Sequence, residues 1–281
     1  VPEGRDPALL VAGCPCGGAH LSPAWRYDAP PEGETGFPAL RGRYRRTVHR
    51  CAACGHLGLD PGCDLAGLYA GGYADATYGD RLRATFARIT GLPPERSDNA
   101  GRVARVLAFA DGRLTAPAAG VRRPRVLDVG SGLAVFPWAM ARRGWDVLAV
   151  DPDPRQAALA REVAGVPCVC ADLMDAPALG THDVVTLNKV LEHVDDPVAM
   201  LAAAAGHLLP GGFVYVEVPD GDAAAHDGPG REEFFIEHLH AFSPASVAAL
   251  VLRAGLSPVR VERLREPSGK YTLVAFCVGA E

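Results

Sequence analysis

Lysine is almost absent from this chain: Lys189 and Lys270 are the two lysines among 28 basic residues. Alanine, glycine and proline are abundant, so the bias reads as the imprint of a GC-rich genome, and the count itself carries no mechanistic weight. A long apolar run is also missing, since a membrane span needs ~20 consecutive apolar residues and nothing here approaches that. The opening stretch VPEGRDPALLVAG has no basic start leading into an apolar core, so no secretory signal is evident and the cytoplasm is the expected location. Positive charge is lacking overall. A net charge of -5 argues against a general polyanion binder, because affinity for nucleic acid comes mainly from Lys and Arg neutralising phosphates. What is present is ordinary for a globular protein: 48% hydrophobic and 22% charged residues over 281 positions, enough for one large domain and a small one.

Cysteine is the first informative residue. Of eight, four fall in two close pairs, Cys14 and Cys16 in CPCGG and Cys51 and Cys54 in CAACG. Each pair is followed by glycine, which lets the backbone turn around an ion. Tetrahedral zinc needs four soft ligands, and two tight turns supply them with little chain to order. In a cytoplasmic setting the pattern reads as metal before disulfide. The first pair is C-x-C where C-x-x-C is commoner, so His20 or Cys63 is an alternative fourth ligand. Between the pairs, RGRYRRTVHR carries Arg41, Arg43, Arg45, Arg46 and Arg50, either a solvated ribbon face or a patch for a phosphate-bearing substrate.

Residues 1–64 are thus expected to form a zinc-binding head and residues 65–120 a helical cap and linker. DRLRATFARITG and NAGRVARVLAFADG both place apolar residues at three- and four-residue spacing, with Asp98 or Asn99 as the cap of the second. LTAPAAGVRRP reads as the linker. Residues 121–281 form the body. There, RVLDVGSGLAVFPWAMARRGWDVLAVD gives strand, glycine turn, helix and second strand, a βαβ unit with parallel strands. A nicotinamide fingerprint G-x-G-x-x-G would need glycine at position 135, which is Val135.

The segment instead resembles the first motif of class I S-adenosylmethionine (SAM) methyltransferases, with Asp128, Gly130 and Gly132 in place and Ala134 at the third glycine. The resemblance extends over residues 121–278. It implies an α/β, Rossmann-like seven-stranded sheet, mostly parallel with an antiparallel last strand. By the same resemblance Asp151 accepts the ribose hydroxyls, Asp172 approaches the adenine amino group, Leu173 offers its backbone amide, and Asn188 sits beside the methionine portion.

Ligands of open α/β sheets bind outside the carboxyl ends of the strands. The segment after the fifth strand therefore projects over the cofactor: DGDAAAHDGPGREE as a mobile lid, then FFIEHLHAF. Ser243 and Pro244 fit N-cap and N1 of a helix, with Gly255 as its stop. Methyl transfer to oxygen requires removal of the acceptor's proton, which neutral imidazole can accept near pH 7. His193, His238 and His240 are the candidates. An extended loop would point His238 and His240 one way and Glu237 the other. Glu192, His193, Glu237 and His238 are alternatively ligands for a divalent metal.

The Cys-pair head, EH after the fourth strand and EHLHAFSP after the fifth resemble a bacterial group that methylates sugars and other small natural products. A related sugar C-methyltransferase group continues into a further domain, and this chain ends at Glu281, which favours O-methylation, with N- or C-methylation as alternatives. The expected protein is a SAM-dependent enzyme with structural zinc, acting on a small-molecule acceptor, with no nucleic-acid or membrane partner. The rival is a non-catalytic binding protein that keeps the SAM fold as scaffold.

Overall fold

The computed structural model describes residues 13–18, 20–34, 44–60, 81–114 and 122–280. Arg41, Arg43, Cys63 and residues 115–121 of the expected linker lie outside the described residues.

The head is an antiparallel ladder of β1 (Leu21–Tyr27), β2 (Arg46–Cys51) and β3 (Leu57–Asp60). Among the described residues of that stretch, Arg45, Arg46 and Arg50 each face a carboxylate of their own. Arg46 is buried, paired to Glu34 at 2.8 Å and stacked 4.0 Å over the Tyr27 ring. Arg45 is exposed, 3.7 Å from Asp28, and Arg50 binds Asp222 at 2.7 Å.

Helices α1 (Leu82–Thr90) and α2 (Asp98–Arg113) match the periodic stretches. They pack on the body. Val103, Val106 and Ala110 of α2 lie at helical spacing and bury against Phe213, Tyr215 and Phe276, while Phe86 of α1 meets Leu133 and Leu159. The cap of α2 is Ser97, whose hydroxyl accepts the Ala100 N–H at 3.1 Å. Asp98 and Asn99 are engaged elsewhere, Asp98 with Ser268 at 2.7 Å and Asn99 with the Val135 carbonyl at 3.0 Å.

The body continues through β4 (Arg125–Val129), α3 (Val135–Ala141), β5 (Asp146–Asp151), α4 (Pro154–Glu162), β6 (Cys168–Cys170), β7 (His182–Asn188), α5 (Pro197–Ala205) and β8 (Leu208–Pro219). After β8 come β9 (His240–Ala241), α6 (Pro244–Arg253), β10 (Leu256–Arg265) and β11 (Tyr271–Gly279). The large sheet has seven strands in the order β10-β11-β8-β7-β4-β5-β6. β4 to β8 are parallel, and β11 runs against both β8 and β10. Because β4, β7 and β8 are covered on both faces, they read as continuous apolar runs, with Val126, Leu127, Val184, Val185, Phe213, Val214 and Val216 all buried.

The segment after β8, expected to form a lid, follows directly on the strand. It makes three short helical turns, Gly221–Ala224, Ala225–Asp227 and Glu232–Phe234, and buries Phe234 and Ile236. Its last residues form β9, which pairs with β3 of the head through Leu57↔Ala241 and Gly58↔His240. The head's sheet is therefore completed by the body, and their shared core includes Val48, Leu57, Leu59, Phe234 and Ala241.

Candidate active site

β4 delivers Asp128 to its carboxyl end, where the chain turns through Gly130 and Gly132 at φ +64° and +53°. A side chain at Gly130 would place Cβ 2.7 Å from a Val190 methyl, so the position demands both the left-handed backbone and the missing atom. Ala134 also adopts φ +55°, a conformation that costs a residue with a Cβ about 1 kcal/mol. Asp151, at the end of β5, ties this turn down: its carboxylate accepts the Gly132 N–H at 2.8 Å and the Asp153 N–H at 2.9 Å. Burial pushes Asp151 up to about 6, against those two bonds. Asp128 accepts from the Thr186 hydroxyl at 2.6 Å and the Asn188 amide at 2.7 Å, and burial pushes it up to about 7.

Asp172 caps the turn Leu173–Asp175, accepting the Met174 N–H at 2.9 Å, and with buried Leu173 it lines the cavity that also holds Gly130, Gly132, Asp151 and Asn188. The structure thus brings together all seven residues expected around a cofactor. It adds two that periodicity could not single out, Asn99 and Arg102 on α2. Complete burial raises Glu217, yet the Arg102 guanidinium, bidentate at 2.5 and 2.9 Å, holds its carboxyl down to about 2. The buried Oδ1 atoms of Asn99 and Asn188 have no partner among the described residues, so the cavity offers acceptors that a polar ligand can fill.

The four candidate catalytic residues part company. His193 Nδ1 lies 2.9 Å from the Glu237 carbonyl, and His238 Nδ1 lies 3.0 Å from the Glu233 carbonyl. A carbonyl only accepts, so both Nδ1 atoms carry the proton and both Nε2 atoms keep a lone pair. Both rings line the cavity, their centroids 4.9 Å apart, and burial lowers both pKa values, so each is neutral at pH 7. Glu192 joins them: one ligand atom from each of Glu192, His193 and His238 lies within 4.8 Å of the others. Glu192 is buried, and its Oε2 has no partner among the described residues.

His240 faces elsewhere. It is fully buried, its Nε2 donating to the Val194 carbonyl at 3.0 Å and its Nδ1 meeting His56 Nε2 at 3.0 Å. Glu237 is buried outside the cavity lining and contributes the carbonyl that orients His193. The reason is local. A turn closed by His238 N–H to the Phe235 carbonyl at 2.9 Å precedes β9, so positions 238 and 240 do not share one extended face.

In the head the sulfurs of Cys14, Cys16, Cys51 and Cys54 converge, with separations of 3.2, 3.4 and 3.7 Å between neighbours. A tetrahedron with ~2.3 Å metal–sulfur bonds has edges of roughly 3.8 Å, so the four fit zinc. Burial pushes the Cys51 thiol up, but the N–H groups of Cys54 and Ala53 pull it down to about 7. Both turns dock on α6, where Arg253 donates to the Pro15 carbonyl at 3.0 Å and the Ser243 hydroxyl donates to the Cys54 carbonyl.

A seven-stranded sheet reversed only at β11, with a cavity over the carboxyl ends of β4, β5 and β7, defines a class I SAM-dependent methyltransferase. The chain belongs to the methyltransferase domain family, whose profile matches residues 98–261. It is 33% identical over 177 residues to a ubiquinone biosynthesis O-methyltransferase of Ralstonia nicotianae, covering 57% of this chain and 73% of that one. It is 38% identical over 122 residues to a protein of the same name from Xanthomonas campestris, covering 40% of this chain and 51% of that one. Among solved structures, the 1,6-didemethyltoxoflavin-N1-methyltransferase of Burkholderia thailandensis, with bound S-adenosylhomocysteine, superposes with a TM-score of 0.54 at 22% identity. That likeness covers 84% of this chain and 96% of the other. The magnesium protoporphyrin IX methyltransferase of Synechocystis gives a TM-score of 0.55 at 18% identity, over 77% of this chain and 100% of the other. These superpositions establish the fold.

Proposed function

We propose that the protein transfers a methyl group from SAM to a hydroxyl of a small molecule, a sugar or natural-product intermediate, with His193 or His238 as general base. The observation that carries this reading is the pair of neutral imidazoles that line the cavity, each held at Nδ1 by a backbone carbonyl. SAM supplies the activated methyl when bound. Asp128, Gly130, Gly132, Asp151, Asp172, Leu173 and Asn188 would hold it, and the buried Asn188 Oδ1, without a partner among the described residues, suits that role. The enzyme's remaining work is to position the acceptor oxygen and take its proton, for which an imidazole fixed by a carbonyl at Nδ1 is prepared. Oxygen as the acceptor atom is supported by the relatives named O-methyltransferases.

Zinc held by Cys14, Cys16, Cys51 and Cys54 would fasten the head to α6, immediately after the strand that follows His238. The head, the β8–β9 segment and the cavity would together shape the acceptor pocket. A second reading, a divalent cation on Glu192, His193 and His238, is favoured by the closeness of their ligand atoms. Methyl transfer is tested with methyl-¹³C-labelled SAM and hydroxylated intermediates from the gene neighbourhood, the products analysed by mass spectrometry and NMR. An O-methyl product supports the reading, and a new methyl on carbon or nitrogen overturns it.

A further inference from the structure

One member of the arginine-rich stretch of the head is built into the interior. Arg46 and Glu34 form an ion pair whose side chains are each 1% exposed. Arg46 Nε donates to the Tyr44 hydroxyl at 2.6 Å, Nη2 to Glu34 at 2.8 Å and Nη1 to the Phe234 carbonyl. Glu34 in turn accepts the Tyr44 hydroxyl at 2.5 Å and the Ile236 N–H at 2.8 Å. Burial, then the Glu34 carboxylate, pushes the Tyr44 phenol up, so it stays protonated and donates. Neither Arg46 nor Glu34 lines the cavity.

A buried ion pair is weak support for stability, because well-packed apolar residues of similar volume often serve as well. What this pair supplies is aim. Its bonds to the body both go to main-chain atoms, at Phe234 and Ile236. The carbonyls on either side of those residues, Glu233 and Glu237, are the ones that meet His238 Nδ1 at 3.0 Å and His193 Nδ1 at 2.9 Å. The Phe235 carbonyl between them accepts the His238 N–H at 2.9 Å. The body holds the two ends of this stretch, with the Tyr271 N–H donating to the Glu233 carboxylate at 2.7 Å and the Leu239 N–H to the Glu192 carbonyl at 2.7 Å. The head holds its middle, where the Trp25 ring also meets Phe234 edge to face, centroids 5.1 Å apart.

We propose, resting on the methyltransferase reading, that Glu34 and Arg46 are positioning residues for the transfer: by fixing the main chain at Phe234 and Ile236 they aim the Glu233 and Glu237 carbonyls, and through these the tautomer and orientation of His238 and His193. The proton of a neutral imidazole sits on the nitrogen that faces an acceptor. A carbonyl about 1 Å farther away no longer accepts that bond, and the proton is no longer tied to Nδ1. The head thereby sets the geometry of the reaction without touching the substrate.

Imidazole ¹⁵N NMR of histidine-labelled full-length protein at pH 7 reads the tautomers directly, with His193→Gln and His238→Gln assigning the two rings. In the wild type both rings should be neutral with the proton on Nδ1; a proton settled on Nε2 in either overturns the proposal. Arg46→Met with Glu34→Leu removes both charges and keeps most of the volume, so the fold should survive. In it both rings should lose the single Nδ1–H signature, while His182 at the far end of β7 does not move and S-adenosylhomocysteine affinity stays within about twofold of wild type. Arg46→Lys keeps both charges, but one nitrogen cannot reach Tyr44, Glu34 and the Phe234 carbonyl together, and the same two signals should move. The proposal is overturned if His193 and His238 keep their wild-type signals in the double variant, or in Arg46→Lys should the double variant not fold. It is overturned equally if His182 moves with them, which would mark a general loss of packing. No S-adenosylhomocysteine binding by the wild type would instead defeat the methyltransferase reading, and the proposal with it.

Discussion

At the residue scale the proposed base is His193 or His238, and their separation from His240 sharpens what substitutions should do. Replacing His193 or His238 with Ala is expected to lower kcat by about 10²-fold or more for whichever is the base, with S-adenosylhomocysteine affinity kept; calorimetry beside steady-state kinetics separates the two effects. His240→Ala should instead lower the melting temperature, because it strips a buried partner from His56 and from the Val194 carbonyl. Near-native turnover in both His193→Ala and His238→Ala would exclude the proposed base. His182 offers a cleaner titration, since burial lowers it from 6.5 to about 4. A depressed histidine stabilises the fold above its unfolded pKa, and that contribution fades as pH falls from 6.5 through 4. The melting temperature of His182→Phe relative to wild type should therefore rise between pH 7 and pH 4.5; a pH-independent difference would contradict the assignment. None of these roles for single histidines is legible in the sequence, where FFIEHLHAF shows three titratable side chains and no hint of the turn at Phe235 that divides them.

At the scale of elements, the glycine turn and the start of α6 are where local sequence fixes geometry. Gly130→Ala must place a methyl against Val190 at φ +64°, and a loss of about 1–3 kcal/mol in stability, with cofactor affinity falling, is the expected result of thermal melting and titration. Ser243 caps α6 by accepting the Ser246 N–H at 3.1 Å while its hydroxyl donates to Cys54. Ser243→Ala should cost about 1–2 kcal/mol in denaturant unfolding. The glycine turn and the Ser-Pro helix start are readable beforehand, because the left-handed backbone and the Ser243–Ser246 cap are local, whereas the contacts with Val190 and Cys54 are not. A seven-stranded, mostly parallel sheet with an antiparallel strand was legible too, through the resemblance, whereas the order of its strands comes from the structure. Asn99 and Arg102 were not legible. Arg102 depends on Glu217 of β8, 115 positions along the chain, and Asn99 on Val135 of α3, 36 positions along, while helical periodicity reports only that one face is buried.

For the whole molecule, the described residues join the head to the body through β3 with β9, Ser243 with Cys54, Arg253 with the first cysteine turn, Arg50 with Asp222, Tyr27 with the Pro229 carbonyl and Glu34 with the Ile236 N–H. Metal analysis of purified protein should find one zinc per chain in this cluster, and chelation should lower the melting temperature; less than about half an equivalent would count against the zinc reading. The sequence announced the cysteine pairs but not that the head borrows a strand from the segment carrying His238, since a two-residue strand has no periodicity to read. The central claim, that the cavity over β4, β5 and β7 holds SAM, is tested most directly by isothermal titration with S-adenosylhomocysteine. Wild-type protein should bind one equivalent with micromolar affinity and Asp151→Ala should bind far more weakly, whereas no heat from either S-adenosylhomocysteine or SAM would contradict the account.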